Sequence, residues 1–342
     1  MAKQKATLER FLAILPGEDD LGGLLECMFQ AMQARKQGLQ TAILVPESLQ
    51  ELARESETFD RIHLQSKGRI DMRLKRFKAD VIYLADETLR NQVKLLFSGA
   101  KIKLSRQNNP LSRFFPSYDI SRARDRKKMA EIFQVSATKI KLDFRVADPV
   151  RREAAPYVYL SLLDQHDSTN FWPPGYAARL ARLLTAKGAK LMVHIPLSAR
   201  REDVVYLRRN SLNMVFLDNL SPVERARHIQ NAMLFIGSPG PETALACALG
   251  RPVIFLSDMR AARLQNEEGQ QSISRRLESV FTQIVPGVDE CINDCRACAY
   301  SSCLEYISPE LVFSIAGEMI PQLNGHAAQF SLKEQRVRAS AS

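Results

Sequence analysis

Four cysteines fall within thirteen residues, at Cys291, Cys295, Cys298 and Cys303, with three, two and four residues between them. Thiolates this close together can surround a zinc or iron ion tetrahedrally. The same run can also be reduced or partly disulfide-linked thiol, or a redox site, and spacing alone leaves these readings open. Cys27 and Cys247 lie inside helical patterns and read as buried apolar filler. A second group is the stretch Gly-Ser-Pro-Gly-Pro-Glu-Thr at 237–243. Its glycines would let a ligand approach the backbone, and free N–H groups at a helix start would favour a diphosphate. It is neither a G-x-G-x-x-G nor a P-loop fingerprint, and Gly-Pro pairs are also ordinary turn chemistry. A third group is Asp19 and Asp20, carboxylates just before a helical pattern, which could cap that helix or sit favourably at the positive end of its dipole. Arg200 and Arg201, and His166 with Asp164 and Asp167, read first as solvated surface. Trp172, followed by Pro173 and Pro174, reads as a loop anchor before it reads as part of a sugar pocket.

These groups need a frame, and the hydrophobic pattern supplies one. Short apolar runs at 11–15, 41–45, 61–64, 81–84 and 101–104 read as strands, separated by helical patterns at 24–36, 49–54, 69–77 and 88–97. A polar, basic, proline-broken stretch follows at about 105–155, and the domain boundary belongs there or at its end. The alternation then restarts. Strands are expected at 157–162, 190–195, 214–217, 233–236 and 253–256, and helices at 176–184, 202–209, 222–230, 242–249 and 309–320. Such alternation is that of parallel sheets covered by helices on both faces, here two Rossmann-like domains facing each other across a cleft. In such sheets ligands bind beyond the carboxyl ends of the strands, so the 237–243 loop stands where chemistry is expected.

Composition narrows the classes further. The 342 residues are 45% apolar and carry 48 Lys and Arg against 38 Asp and Glu, a net charge of +10. That length suits about two domains of the usual 100 to 200 residues. The start of the chain has only a five-residue apolar run before Glu18, so no signal peptide or membrane span is expected and the default location is the cytoplasm. The positive balance allows an anionic partner such as a phosphorylated sugar or an acidic membrane face. Nucleic acid is disfavoured, because aromatics are not interleaved with the basic residues as a stacking platform requires.

Around 238–252 the sequence resembles the lipopolysaccharide heptosyltransferases, glycosyltransferase family 9, which have the two-domain GT-B architecture. Their Asp-Thr-Gly-x-x-His-x-Ala-x-Ala-Leu-Gly-x-Pro stretch is matched from Ser238 to Pro252. Gly240 and the Ala-Leu-Gly-x-Pro frame are kept, while the Asp, Thr and His positions hold Ser238, Pro239 and Thr243. The Gly-Asp of the family's first loop is matched at 17–20, and its Lys-x-Trp-Pro segment at Asn170 to Pro173, with Asn170 in the lysine position. The late cysteines and the Ile-Ser-Pro-Glu at 307–310 fit the same register. The resemblance covers roughly 10–322.

The resemblance implies an inverting, metal-independent transfer of a sugar, such as heptose from ADP-heptose, to a cell-envelope saccharide or protein acceptor. It implies Asp20, with Asp19 beside it, as catalytic base. It implies a donor site at Asn170, Ser238, Gly240, Pro241, Glu242 and Thr243, in which the Glu242 carboxylate would repel a diphosphate if it faced one. Some relatives hold a structural iron on a cysteine cluster, which gives Cys291, Cys295, Cys298 and Cys303 the same implied role with zinc or iron. The implied layout is an acceptor-side domain at 1–150, a nucleotide-sugar-side domain at 155–307, a helix at 308–322 packing back on the first domain, and a basic, disordered tail at 323–342. That tail and the basic surface would suit peripheral contact with anionic membrane at the inner face. The alternative is a GT-B scaffold or partner-binding protein whose donor site has decayed.

Overall fold

The computed structural model describes residues 8–15, 17, 20–65, 77–85, 98–105, 117–119, 145–146, 156–161, 172–196, 199, 201–210, 213–238, 240–257, 281–284 and 303–323. The chain divides into two compact units, one within 1–147 and the other within 148–267 and 277–342.

In the first unit β1 (Arg10–Ile14), β2 (Gln40–Val45), β3 (Arg61–Leu64), β4 (Val81–Leu84), β5 (Ile102–Ser105) and β6 (Ser117–Asp119) form one parallel sheet. Their order is β3-β2-β1-β4-β5-β6. β1, β2 and β4 are almost wholly buried, as expected of central strands covered on both faces, whereas β3 is half exposed at the edge. Helix α1 (Leu21–Lys36) follows β1, and α2 (Glu47–Glu55) follows β2. The sequence pattern puts the start of α1 at residue 24; the helix begins one turn earlier, because Asp20 caps it there. Gly22 and Gly23 in that first turn weaken intrinsic helicity, and tertiary burial compensates, with Leu21, Gly23, Leu24 and Leu25 all inside.

The second unit repeats the plan. β7 (Tyr157–Ser161), β8 (Lys190–Ile195), β9 (Met214–Asp218), β10 (Leu234–Gly237), β11 (Val253–Leu256) and β12 (Phe281–Ile284) run parallel in the order β12-β11-β10-β7-β8-β9. Its helices are α3 (Pro174–Thr185), α4 (Arg201–Arg209), α5 (Pro222–Asn231), α6 (Pro241–Ala248) and α7 (Pro309–Met319). β6 and β12 are additions to the sequence reading. A three-residue Ser-Tyr-Asp strand and a four-residue Phe-Thr-Gln-Ile strand carry too little pattern to be read, and β6 pairs from within the stretch expected to be linker. The helices expected at 69–77 and 88–97 fall almost wholly outside the described residues, as does the tail at 323–342 beyond Leu323.

Period-2 alternation divides the second sheet into two different faces. Val158, Leu160, Leu191, Val193, Leu234, Ile236, Ile254 and Leu256 pack with α3 and α7 in one apolar core. Trp172 is buried in that core as a loop anchor, donating its Nε1–H to the Ile307 carbonyl at 2.9 Å. Tyr176 donates to the Glu305 carbonyl at 3.0 Å, and Arg179 of α3 pairs with Glu310 of α7. The buried residues of α7, Val312, Ile315 and Ala316, belong to this second-unit core. The opposite face carries Tyr157, Tyr159, Ser161, His194 and Phe235, a polar and aromatic layer. Tyr157 there donates to the His228 carbonyl of α5 at 2.7 Å.

Candidate functional site

Both sheets change winding direction at one place. β2 and β3 extend the first sheet on one side of β1 before β4 begins on the other; β8 and β9 do the same beside β7 before β10 begins. The crevice at the carboxyl ends of strands at such a switch point is where open α/β sheets bind ligands. The loop after β1 and the loop after β10 each border the switch point of their own unit, from opposite sides of it, since β7 is the counterpart of β1 and β10 that of β4.

At the first junction Asp20 is the N-cap of α1, its Oδ1 accepting the Gly23 N–H at 2.7 Å. The carboxylate fits because Gly23 has no Cβ; one added there would lie 2.2 Å from Asp20 Oδ2 and 2.6 Å from Leu15 Cδ1. Asp20 is therefore a cap that keeps one oxygen out of the helix bond. Asp19 lies outside the described residues.

At the second junction β10 ends at Gly237, where a Cβ would stand 2.7 Å from the Phe235 ring, so no side chain fits. Ser238 is buried and its carbonyl accepts the Thr243 hydroxyl at 2.5 Å. The only proton of that hydroxyl is thus committed to holding the loop on the first turn of α6. Gly240 is the N-cap of α6 and caps it with no side chain, and Pro241 follows as the first helical residue. The N–H groups of Glu242 and Thr243 precede the first helical bond, from Ala244 N to the Gly240 carbonyl at 3.2 Å.

Glu242 turns inward. Its Oε1 accepts His194 Nδ1 of β8 at 2.9 Å and Arg225 Nη1 of α5 at 3.2 Å, and all three side chains are largely buried. Burial works to raise the Glu242 carboxyl, but the His194 bond and charge, the Ser161 hydroxyl and the Arg225 charge outweigh it and hold it below its ordinary range. Tyr159 lies between Phe235, 5.6 Å away, and His194, 6.3 Å away, both in stacked geometry. Burial, with the Glu242 charge added, pushes its phenol well above the usual value. The repulsion expected between Glu242 and a diphosphate is thereby answered inside the protein.

Sequence reasoning missed His194, Arg225, Tyr159 and Ser161. The available signal was one histidine in the otherwise apolar run Leu-Met-Val-His-Ile at 191–195. Asn170, His166, Asp164, Asp167 and Arg200 fall outside the described residues, and Arg201 is exposed at the start of α4. Cys291, Cys295 and Cys298 also fall outside; Cys303 opens a short 3-10 turn, Cys303–Tyr306. Among the described residues no three His, Cys, Asp or Glu side chains come together as a metal site. Nor is any described helix long and apolar enough to cross a membrane.

No family model matches the chain, and no curated protein matches it. Solved structures do. The chain superimposes on a family 9 glycosyl transferase from Veillonella parvula DSM 2008 with a TM-score of 0.66 at 12% identity, covering 92% of this chain and 97% of that one. The Escherichia coli heptosyltransferase WaaC, solved with ADP, gives 0.60 at 16% identity over 92% and 99%. The iron-containing dodecameric glycosyltransferase TibC from enterotoxigenic E. coli H10407 gives 0.54 at 15% identity over 92% and 77%. The fold is GT-B. Its two Rossmann-like units resemble those of the family 9 heptosyltransferases in fold, at low sequence identity.

Proposed function

We propose that this protein is an inverting glycosyltransferase, moving a sugar from a nucleoside diphosphate donor to a cell-envelope saccharide or a protein acceptor. The observation that carries the reading is the second switch point. There a GT-B fold delivers the start of α6, uncapped by any side chain, at the carboxyl end of its sheet. Backbone N–H groups of Gly240, Glu242 and Thr243 would take the diphosphate, assisted by the positive end of the helix. Asn170 and Ser238 would add neutral contacts, and Pro241 sets the backbone of the first turn. On the acceptor side Asp20, with Asp19 adjacent, would remove the hydroxyl proton. The freed oxygen forms its bond to the anomeric carbon on the face opposite the diphosphate, whose bond breaks and whose oxygen keeps the electron pair. With Glu242 turned inward, hydrogen-bonded by His194 and paired with Arg225, the helix start presents its N–H groups without an opposing charge.

The names of the relatives make ADP-heptose the first donor to test. The basic surface suits a phosphorylated or membrane-held acceptor reached from the cytoplasmic side, with peripheral contact to anionic lipid. The cysteine run Cys291, Cys295, Cys298 and Cys303 would hold zinc or iron in a structural role; metal analysis of the purified protein, with Cys295→Ser as comparison, tests this.

Calorimetric titration with ADP, UDP, GDP and ADP-heptose is the deciding experiment, followed by turnover of the donor that binds. Saturable binding of one nucleotide is expected. Asp20→Asn should keep that binding and lower turnover by about a hundredfold or more, the usual contribution of a general base. Absence of binding at millimolar nucleotide would retire the transferase reading in favour of a partner-binding scaffold.

A further inference from the structure

The buried side chains of Glu242, His194, Arg225 and Tyr159 lie beside the donor loop, and the chemistry just described gives none of them a bond to the donor. Their combination is costly. A carboxylate, a guanidinium and an imidazole are taken out of water together, and replacing such a cluster with apolar side chains is often neutral or stabilising. The cluster also leaves Tyr159 Oη and Arg225 Nε buried with no hydrogen-bond partner among the described residues. A network kept for stability alone would be expected to satisfy them.

Its location supplies the reason. Glu242 is the second residue of α6, directly after the 238–240 loop. Its single oxygen Oε1 gathers a bond from β8 and one from α5. Ser161, whose Cβ lies within 3.4 Å of the Cβ position that Gly237 lacks, closes the group from the end of β7. The elements on both sides of the switch point thus converge on one carboxylate. Thr243 meanwhile fixes the loop to its own helix through the Ser238 carbonyl. The loop has no lysine or histidine of its own to hold a diphosphate in place. Backbone N–H groups bind only if the loop keeps their directions, and a small misplacement removes most of that benefit.

We infer that His194 and Arg225 are positioning residues which, acting through Glu242, hold the 238–243 segment in the geometry that binds the donor diphosphate. This rests on the donor-site reading above. Neither residue touches the donor; both act on where α6 begins.

The test measures binding of ADP, UDP and GDP, and KM for donor and acceptor separately, on the full chain. The variants are Glu242→Gln, His194→Gln, Arg225→Met, Arg225→Lys and the double variant of Glu242→Gln with His194→Gln. Glu242→Gln should weaken the nucleotide that binds the parent by about tenfold, the equivalent of one lost charge-assisted bond. Donor KM should rise in step, with acceptor KM unchanged. His194→Gln should lose binding alone but add little to Glu242→Gln, since both act on the same carboxylate. Arg225→Lys should recover part of what Arg225→Met loses. A fall in thermal stability with nucleotide affinity unchanged in these variants would overturn the inference, leaving the donor reading intact. So would full additivity of the double variant. Where Glu242→Gln fails to fold, the comparison of Arg225→Lys with Arg225→Met decides. A parent protein that binds none of the three nucleotides would remove the donor reading and the inference with it.

Discussion

Asp20 and Glu242 each stand at the start of a helix that follows a parallel strand, and their carboxylates are used in different ways. Asp20 caps α1 with one oxygen and stays partly exposed, whereas Glu242 faces into the sheet, hydrogen-bonded by His194 and paired with Arg225. What permits the first arrangement is the missing side chain of Gly23. An alanine there would press on Asp20 Oδ2 and on the buried Leu15 side chain, so one or both must move. Gly23→Ala gains about 0.5–1 kcal/mol of helix preference. Against this stand roughly 1 kcal/mol of lost cap and about 1–3 kcal/mol of overpacking. The variant should be less stable by about 1–3 kcal/mol in urea unfolding, and turnover should fall with the displaced carboxylate. An unchanged or raised urea midpoint would mean that Asp20 is not held by this contact.

At the level of elements, the strand-to-helix junctions carry the candidate chemistry and the helix-to-strand turns carry the folding signals. Gly250, between α6 and β11, has φ +68°, and a Cβ there would meet nothing within 4 Å. Gly250→Ala should therefore cost about 1 kcal/mol from backbone conformation alone. Gly250→Asn should cost less, because asparagine tolerates the left-handed region better. Equal losses for the two, measured by thermal melting, would point to packing instead. Such signals made much of the fold legible. Apolar runs such as Val81–Leu84 and Val253–Leu256, too short for helices and bounded by polar or turn residues, read as doubly covered strands, and Ser-Pro at the starts of α5 and α7 marks a cap followed by a first turn. β6 and β12 escaped because a short strand takes its stability from the neighbour it pairs with. The 237–243 loop was legible as a strand-to-helix junction from local pattern, and Asp20 entered as a candidate through the family resemblance. The direction of Glu242 was not, since its partners lie on β8 and α5, and only the tertiary fold brings them to α6.

Across the whole molecule, each unit has a carboxylate that gathers neighbouring elements, Asp80 partly buried in the first and Glu242 largely buried in the second, and the two stand at opposite ends of their sheets. In the first unit Asp80, just before β4, accepts from Glu9 N at 2.9 Å and Arg10 N at 3.2 Å at the start of β1, and pairs with Lys101 Nζ at 2.7 Å beside β5. That is the amino end of the sheet, away from the switch-point crevice, and the role there is structural. In the second unit Glu242 does the tying at the carboxyl end, where a ligand would bind. For Asp80, burial raises the carboxyl, but the Lys101 bond and charge and the two backbone N–H bonds outweigh it, so its folded value is lowered from 3.8. Glu242 is lowered from 4.5. A lowered folded value means that the unfolded chain binds more protons in acid. The stability each contributes is therefore fully present above the unfolded value and disappears as pH falls through the folded one. Asp80→Asn should lower the melting temperature at pH 7, and the gap to the parent should close as the pH is taken down through the carboxylate range. Glu242→Gln should show the same closing gap, with donor affinity reduced at neutral pH as well, whereas Asp80→Asn should leave donor affinity unchanged. Melting curves and nucleotide titrations on the two variants across that range separate a carboxylate that holds a sheet from one that also sets a binding loop. A melting gap that stays constant with pH would show that neither carboxylate acts through its charge.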